Sequence, residues 1–61
     1  MTVVELLGTL DEKQDYIIVT GDKHHEHLDV KTCAEHDVKV LGIKAVRENL
    51  IKIETNFSWY I

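Results

Sequence analysis

The sequence predicts an α+β domain in which one N-terminal amphipathic helix packs on a three- to four-stranded, mostly antiparallel sheet. Three observations predict it: a helix-start signal at the N-terminus, a β-branched and aromatic run in the middle, and strict alternation near the C-terminus. A chain of 61 residues buries only about 60% of the surface that its unfolded form exposes. We therefore expect residues 1–61 to form a single domain with one small core.

The first element is a helix over Val3 to Leu10. Thr2 is followed three residues later by Glu5, which is a capping-box pattern, and apolar residues then recur at helical spacing. Gly8 weakens a helix that is already too short to persist alone in water, so it must be held by packing.

The second element is a strand over Tyr16 to Thr20, because the run is β-branched and aromatic and ends at the turn signal of Gly21. Its continuous apolar character favours a central position. The residues from His25 to Lys31 are mostly polar with two apolar residues at period two, which indicates an edge strand. Thr32 and Glu35 repeat the capping-box spacing, and they predict one short helical turn.

The C-terminal half predicts two further strands joined by a turn at Arg47 to Asn49. Val38 to Val46 changes its apolar parity at Gly42, which indicates a bulge or bend at that residue. Residues 50–61 alternate without a break. Fully extended, they would span roughly 40 Å, so part of this final strand is expected to overhang or bend.

Composition places the chain among folded cytoplasmic proteins. Hydrophobic residues make up 44% and charged residues 30%, which is ordinary for a globular domain. A single cysteine, Cys33, cannot form an internal disulfide, so a reducing compartment is expected. No basic and apolar leader pattern and no apolar run of about 18 residues is present, which disfavours secretion and membrane insertion.

The net charge of −4 comes from the segment between Asp11 and Asp37, which contains eight acidic residues and three lysines. A patch of this sign repels phosphate backbones and attracts basic protein surfaces, so direct nucleic-acid binding is not expected. One interpretation is a solvated face that keeps a small domain soluble. The other is a partner-binding surface, with these candidate acids: Asp22, Glu26, Asp29, Glu35 and Asp37.

The histidines and the cysteine cluster in the same stretch, which raises a zinc hypothesis with the candidate ligands His25, His27, Cys33 and His36. No paired C-x₂-C set is present, and the spacing fits no standard zinc arrangement. Solvated imidazoles are the alternative, and we expect no metal or other cofactor. Cys33 and His36 lack a third orienting group, and so small a chain has few residues for cleft walls, so we do not expect an enzyme.

The densest aromatic cluster is at the C-terminus, where the candidate binding residues are Phe57, Trp59 and Tyr60. Tryptophan and tyrosine are enriched in binding hot spots. In one interpretation Phe57 and Trp59 fold back over the apolar face of the first helix. In the other, the tail forms an edge that binds a partner or a second copy of the chain.

The opening Met1–Leu7 and the run from Val38 to Ile53 resemble very small proteins encoded by phages and mobile elements of Gram-positive bacteria. Some small acidic proteins of that origin are anti-CRISPR inhibitors that bind the basic nucleic-acid channel of a nuclease. The resemblance implies a non-catalytic inhibitor or adaptor in the host cytoplasm, with a host protein such as a CRISPR nuclease complex as partner. The alternatives are a self-assembling protein that dimerises through its C-terminal strand, and a small zinc-binding module.

Overall fold

A computed structural model describes residues 1–22 and 27–59. Five elements follow one another: α1 (Val3–Leu7), β1 (Asp15–Val19), α2 (Val30–His36), β2 (Val40–Arg47) and β3 (Leu50–Thr55). The predicted α+β class is confirmed. The sheet has three strands in the order β1-β3-β2, with β1 parallel to β3 and β2 antiparallel to it, so the prediction of a mostly antiparallel sheet is wrong.

The capping box predicted at the start of α1 is present. The backbone N–H of Thr2 donates to Oε1 of Glu5 at 2.8 Å, and the N–H of Glu5 donates to Oγ1 of Thr2 at 3.1 Å. The helix ends at Leu7 and not at Leu10, because Gly8 caps it and glycine is a poor helix former. Leu10 still packs against the core from the turn that follows.

The second helix, α2, differs from two predictions: the edge strand over His25 to Lys31 and the helical turn that begins at Thr32. Asp29 is the N-cap of α2, and its Oδ1 accepts from the N–H of Thr32 at 2.9 Å. The helix therefore starts at Val30, so the cap is not Thr32, and an edge strand extending to Lys31 is wrong. Of that predicted strand, residues 25–26 lie outside the described residues, and His27 forms only an isolated bridge to Val19.

The strand predictions hold locally, and the predicted C-terminal hairpin is present as the antiparallel pair of β2 and β3, but the predicted position of β1 in the sheet is wrong. The bend expected at Gly42 is present, since the register of β2 against β3 shifts between Val40 and Gly42; a second shift follows between Ala45 and Arg47. The turn before β3 closes at Asn49, whose φ of 60° is left-handed. The central strand is β3 and not β1. β3 stops at Thr55, so residues 56–59 do not continue the strand predicted over residues 50–61.

The core lies on one face of the sheet, where residues of both helices pack against strands β1 and β3. Ile18 of β1 pairs with Ile53 of β3, and both belong to one buried cluster with residues of α1 and α2. Its buried members are Val3, Leu6, Ile18, Leu28, Cys33, Val38 and Ile53. The helices therefore form one layer and the sheet the other, which leaves the opposite face of the sheet without a covering layer among the described elements.

Candidate functional site: a clamped aromatic groove

A short tail, residues 56–59, follows β3 and lies beside the residues that follow β1. Thr55 Oγ1 donates to the carbonyl of Val19 at 2.7 Å, and the N–H of Gly21 donates to the carbonyl of Phe57 at 3.0 Å. These two bonds continue the β1–β3 contact beyond the last paired residues. The tail is therefore attached to the domain by backbone as well as by side chains.

The carboxylate of Asp22 closes this attachment. Its Oδ1 accepts from the hydroxyl of Ser58 at 2.7 Å, and its Oδ2 accepts from the N–H of Trp59 at 2.8 Å. Hydrogen bonds to an ionised acceptor are stronger than neutral ones. We call this pair of bonds the Asp22 clamp; it fixes the backbone that carries Trp59.

The two described aromatic residues of the tail have different environments. Phe57 is half-buried, packs against the core cluster, and lies 5.4 Å from the ring of His36. Trp59 is 41% exposed and meets the ring of Phe57 nearly perpendicularly, at 5.2 Å between ring centres and an angle of 88°. Phe57 therefore packs with the core, whereas Trp59 packs against the ring of Phe57 and remains partly exposed to solvent. The third predicted aromatic residue, Tyr60, lies outside the described residues.

A groove of about 370 Å³ lies beside this indole, lined by His27, Leu28, Asp29 and Trp59. Leu28 forms its buried floor, and the N–H of Leu28 donates to the carbonyl of Ile18 at 3.0 Å. Hydrogen bonds from Thr32 hold the pKa of Asp29 below its ordinary value, so this carboxylate is ionised at neutral pH. The groove therefore combines an aromatic wall with a fixed negative charge.

The predicted acidic residues divide into two groups. Asp22 and Asp29 have structural roles, as clamp and as helix cap. Glu35 and Asp37 are exposed at the end of α2, where Asp37 ends the helix in the left-handed region with φ of 48°. Glu26 lies outside the described residues. Among the predicted acids that the structure describes, Glu35 and Asp37 are therefore the two exposed carboxylates that neither cap a helix nor hold the tail.

The residues of the zinc hypothesis are not brought together where they are described. Cys33 is fully buried in the core, while His27 and His36 are exposed. In residues 1–22 and 27–59, no group of three His, Cys, Asp or Glu side chains could hold a metal ion; His25 lies outside that part. Burial raises the pKa of the Cys33 thiol, which is the opposite of what an activated nucleophile needs.

The clamp and the groove are features that sequence patterns did not identify. Ser58 and Asp22 are 36 positions apart, and no local motif connects them. Leu28 is one of the two apolar residues in the polar segment from His25 to Lys31, and that pattern predicts a strand and not a binding groove. The parallel pairing of β1 and β3 places the chain after β1 beside the tail after β3. Residues 27–29 and Trp59 therefore line one groove.

No helix in the described part of the chain has the length and apolarity needed to cross a membrane. Comparison with protein-family models, curated proteins and solved structures finds no match.

Proposed function

We propose that this chain is a non-catalytic protein-binding module of the host cytoplasm, and that it recognises a basic segment of its partner through the groove beside Trp59. The observation that carries the proposal is the Asp22 clamp. It holds an exposed tryptophan in place before any partner arrives, and an ordered aromatic anchor loses little further entropy on binding.

The chemistry of the groove favours a cationic side chain. A guanidinium or ammonium group gains from contact with an indole, and here the ionised carboxylate of Asp29 lies on the same groove. Acidic residues predominate in the surrounding sequence from Asp11 to Asp37, which favours the approach of a basic surface. Arginine suits the site better than lysine, because its planar group stacks on aromatic rings.

In this proposal the chain acts as an inhibitor or an adaptor by covering a surface of its partner protein. A small acidic domain that covers a basic nucleic-acid channel would block the channel without chemistry of its own, and a CRISPR nuclease complex is the candidate target. The buried, unactivated thiol of Cys33 is consistent with a non-catalytic role.

The recognition step can be tested with defined peptides. Trp59 is the only tryptophan, so its emission reports binding directly when hexa-arginine, hexa-lysine and hexa-glutamate are titrated into the protein. We expect hexa-arginine to bind with a dissociation constant on the order of 100 µM and hexa-glutamate not to bind. Peptides labelled with fluorescein extend the measurement, by anisotropy, to variants without the indole.

Trp59→Ala should weaken hexa-arginine binding at least about tenfold, as expected for a hot-spot aromatic. Val30→Ala is the matched control, because Val30 is equally exposed, at 43% against 41% for Trp59, but does not line the groove. Equal binding of hexa-glutamate, or wild-type affinity in Trp59→Ala, would contradict the recognition proposal. Unimpaired DNA cleavage by guide-loaded CRISPR nucleases would remove that target and leave peptide recognition intact.

A further inference from the structure

The outer edge of β2 is a second surface, separate from the groove. β2 is an edge strand, because the sheet order is β1-β3-β2. The N-terminus covers only its beginning: Thr2 bridges Lys39, and the N–H of Val40 donates to the carbonyl of Met1 at 2.9 Å. Among the described residues, no strand or bridge pairs with the outer edge of β2 beyond Val40, so its backbone there is open to another strand.

Three large apolar side chains of β2 are exposed. Leu41, Ile43 and Val46 are 65%, 48% and 50% exposed. The helical layer also ends before it reaches β2: in the row of paired residues Ile18, Ile53 and Ile43, the first two are 3% and 0% exposed. The core face of the sheet is therefore covered over β1 and β3 and bare at Ile43.

We infer that a second copy of the chain occupies this edge, with the two β2 strands antiparallel and a two-fold axis passing through Ile43. The result is a six-stranded sheet across the dimer. A two-fold axis perpendicular to a sheet must pass through a residue position, because directly opposed residues of an antiparallel pair share a face. The regular part of β2 between its two register shifts therefore offers four axis positions: Gly42, Ile43, Lys44 and Ala45.

The side chains choose among these registers. An axis at Lys44 puts two ammonium groups directly opposite each other, which is destabilising. An axis at Gly42 pairs two residues without side chains, and one at Ala45 puts Ile43 opposite Arg47. An axis at Ile43 pairs the two exposed isoleucines and sets each Lys44 opposite a glycine. Only that register buries Ile43 against its own copy while leaving Lys44 unopposed.

Charge on the edge does not prevent this pairing. Lys44 is the charged residue of the regular segment, and its Nζ lies 3.7 Å from Oε2 of Glu54 on β3. Edge lysines protect sheets from association when they present an uncompensated charge. Lys44 has Glu54 beside it but also lies directly opposite Lys52, so its charge weakens the pairing, although in this register it does not face a charge of the second copy. The two bulges limit regular pairing to residues 42–45, so the interface is small and the dimer should be weak.

Regular pairing over only four residues buries far less than the roughly 800 Å² per partner of a standard interface. We therefore expect a dissociation constant on the order of 100 µM or weaker.

Sedimentation equilibrium between about 10 µM and about 1 mM tests the association. The wild type should shift from monomer toward dimer over this range. Ile43→Lys should abolish the dimer, whereas Val30→Lys, at a residue of α2 that is 43% exposed against 48% for Ile43, should preserve it. Leu41→Lys provides a second edge variant should Ile43→Lys lose its folded circular dichroism spectrum. A wild type that stays monomeric throughout would overturn the inference and leave a strand of another protein as the occupant.

Disulfide trapping tests the register. In Ile43→Cys the two thiols meet at the axis, within the short Cβ separation that a disulfide needs. In Ala45→Cys they stand about 14 Å apart along the strands. Mild oxidation should therefore cross-link Ile43→Cys and not Ala45→Cys, and the reverse result would refute the register. Trp59→Ala should dimerise normally, which separates a failure of this surface from a failure of the groove.

Discussion

Removing the Asp22 clamp is the perturbation that tests the site most directly. Asp22→Ala deletes both acceptors, at 2.7 Å from Ser58 Oγ and 2.8 Å from the Trp59 nitrogen. Hydrogen bonds to charged groups contribute about 1.5–3 kcal/mol each. Asp22 is only partly buried, so we assign about 1.5–2 kcal/mol to the two bonds together. The equilibrium between a docked and a released tail should then shift about ten- to thirtyfold toward release.

The fluorescence of Trp59 reports release of the tail directly, because the sequence contains no other tryptophan. Released Trp59 should emit at longer wavelength and be quenched more readily by acrylamide, while the far-ultraviolet circular dichroism stays unchanged because no helix or strand is lost. Asp22→Asn keeps one good acceptor and should give an intermediate result. Glu12→Ala removes the same charge from the loop between α1 and β1 and is the control. Wild-type emission and quenching in Asp22→Ala would refute the claim that the clamp positions Trp59.

Three further measurements test the attachment of the tail, the burial of Cys33 and the two helix caps. Thr55→Val removes the 2.7 Å bond to the carbonyl of Val19 and should lower the free energy of unfolding by about 1–2 kcal/mol in urea titrations, whereas Thr55→Ser should retain most of it. Cys33 is fully buried with a raised pKa, so Ellman's reagent should label it far more slowly in the folded protein than in urea; equal rates would contradict its burial. The pKa values of Glu5 and Asp29 lie below their ordinary values of 4.5 and 3.8 through hydrogen bonds at the two helix starts. These two carboxylates stabilise the folded state above those pKa values, and this stabilisation is lost as the pH falls. Urea midpoints should therefore decline between about pH 5 and about pH 2, and the decline should be less steep in Glu5→Gln.

Local patterns in the sequence predicted local structure well. The capping box of Thr2 and Glu5, the bend at Gly42 and the turn at Asn49 each depend on residues within four positions of one another, and all are present. The cap of α2 was misplaced for the same local reason. Asp29 and Thr32 both fit an N-cap, and aspartate is the stronger of the two.

Strand order could not be predicted in the same way. The apolar run of β1 suggested a central strand, and the alternation of β3 suggested a strand with one open face. In a two-layer fold every strand has an open face, including the central one, so alternation does not distinguish centre from edge. Lys52 and Glu54 occupy that open face of β3, while Ile53 is fully buried on the other. The position of β3 follows from the parallel pairing with β1, which connects residues about 35 positions apart.

The structure also changes which variants can test the role of negative charge. Neutralising Asp22 or Asp29 would release the tail or uncap α2, so a loss of binding could not be attributed to electrostatics. Glu35→Gln and Asp37→Asn avoid this problem, because both residues are exposed and asparagine tolerates the left-handed conformation at position 37. If the acidic surface steers a basic partner, this double variant should slow hexa-arginine association and reduce its salt dependence while Trp59 stays docked. Unchanged association with unchanged salt dependence would mean that the acids at the end of α2 only solvate the domain, and that recognition depends on the groove alone.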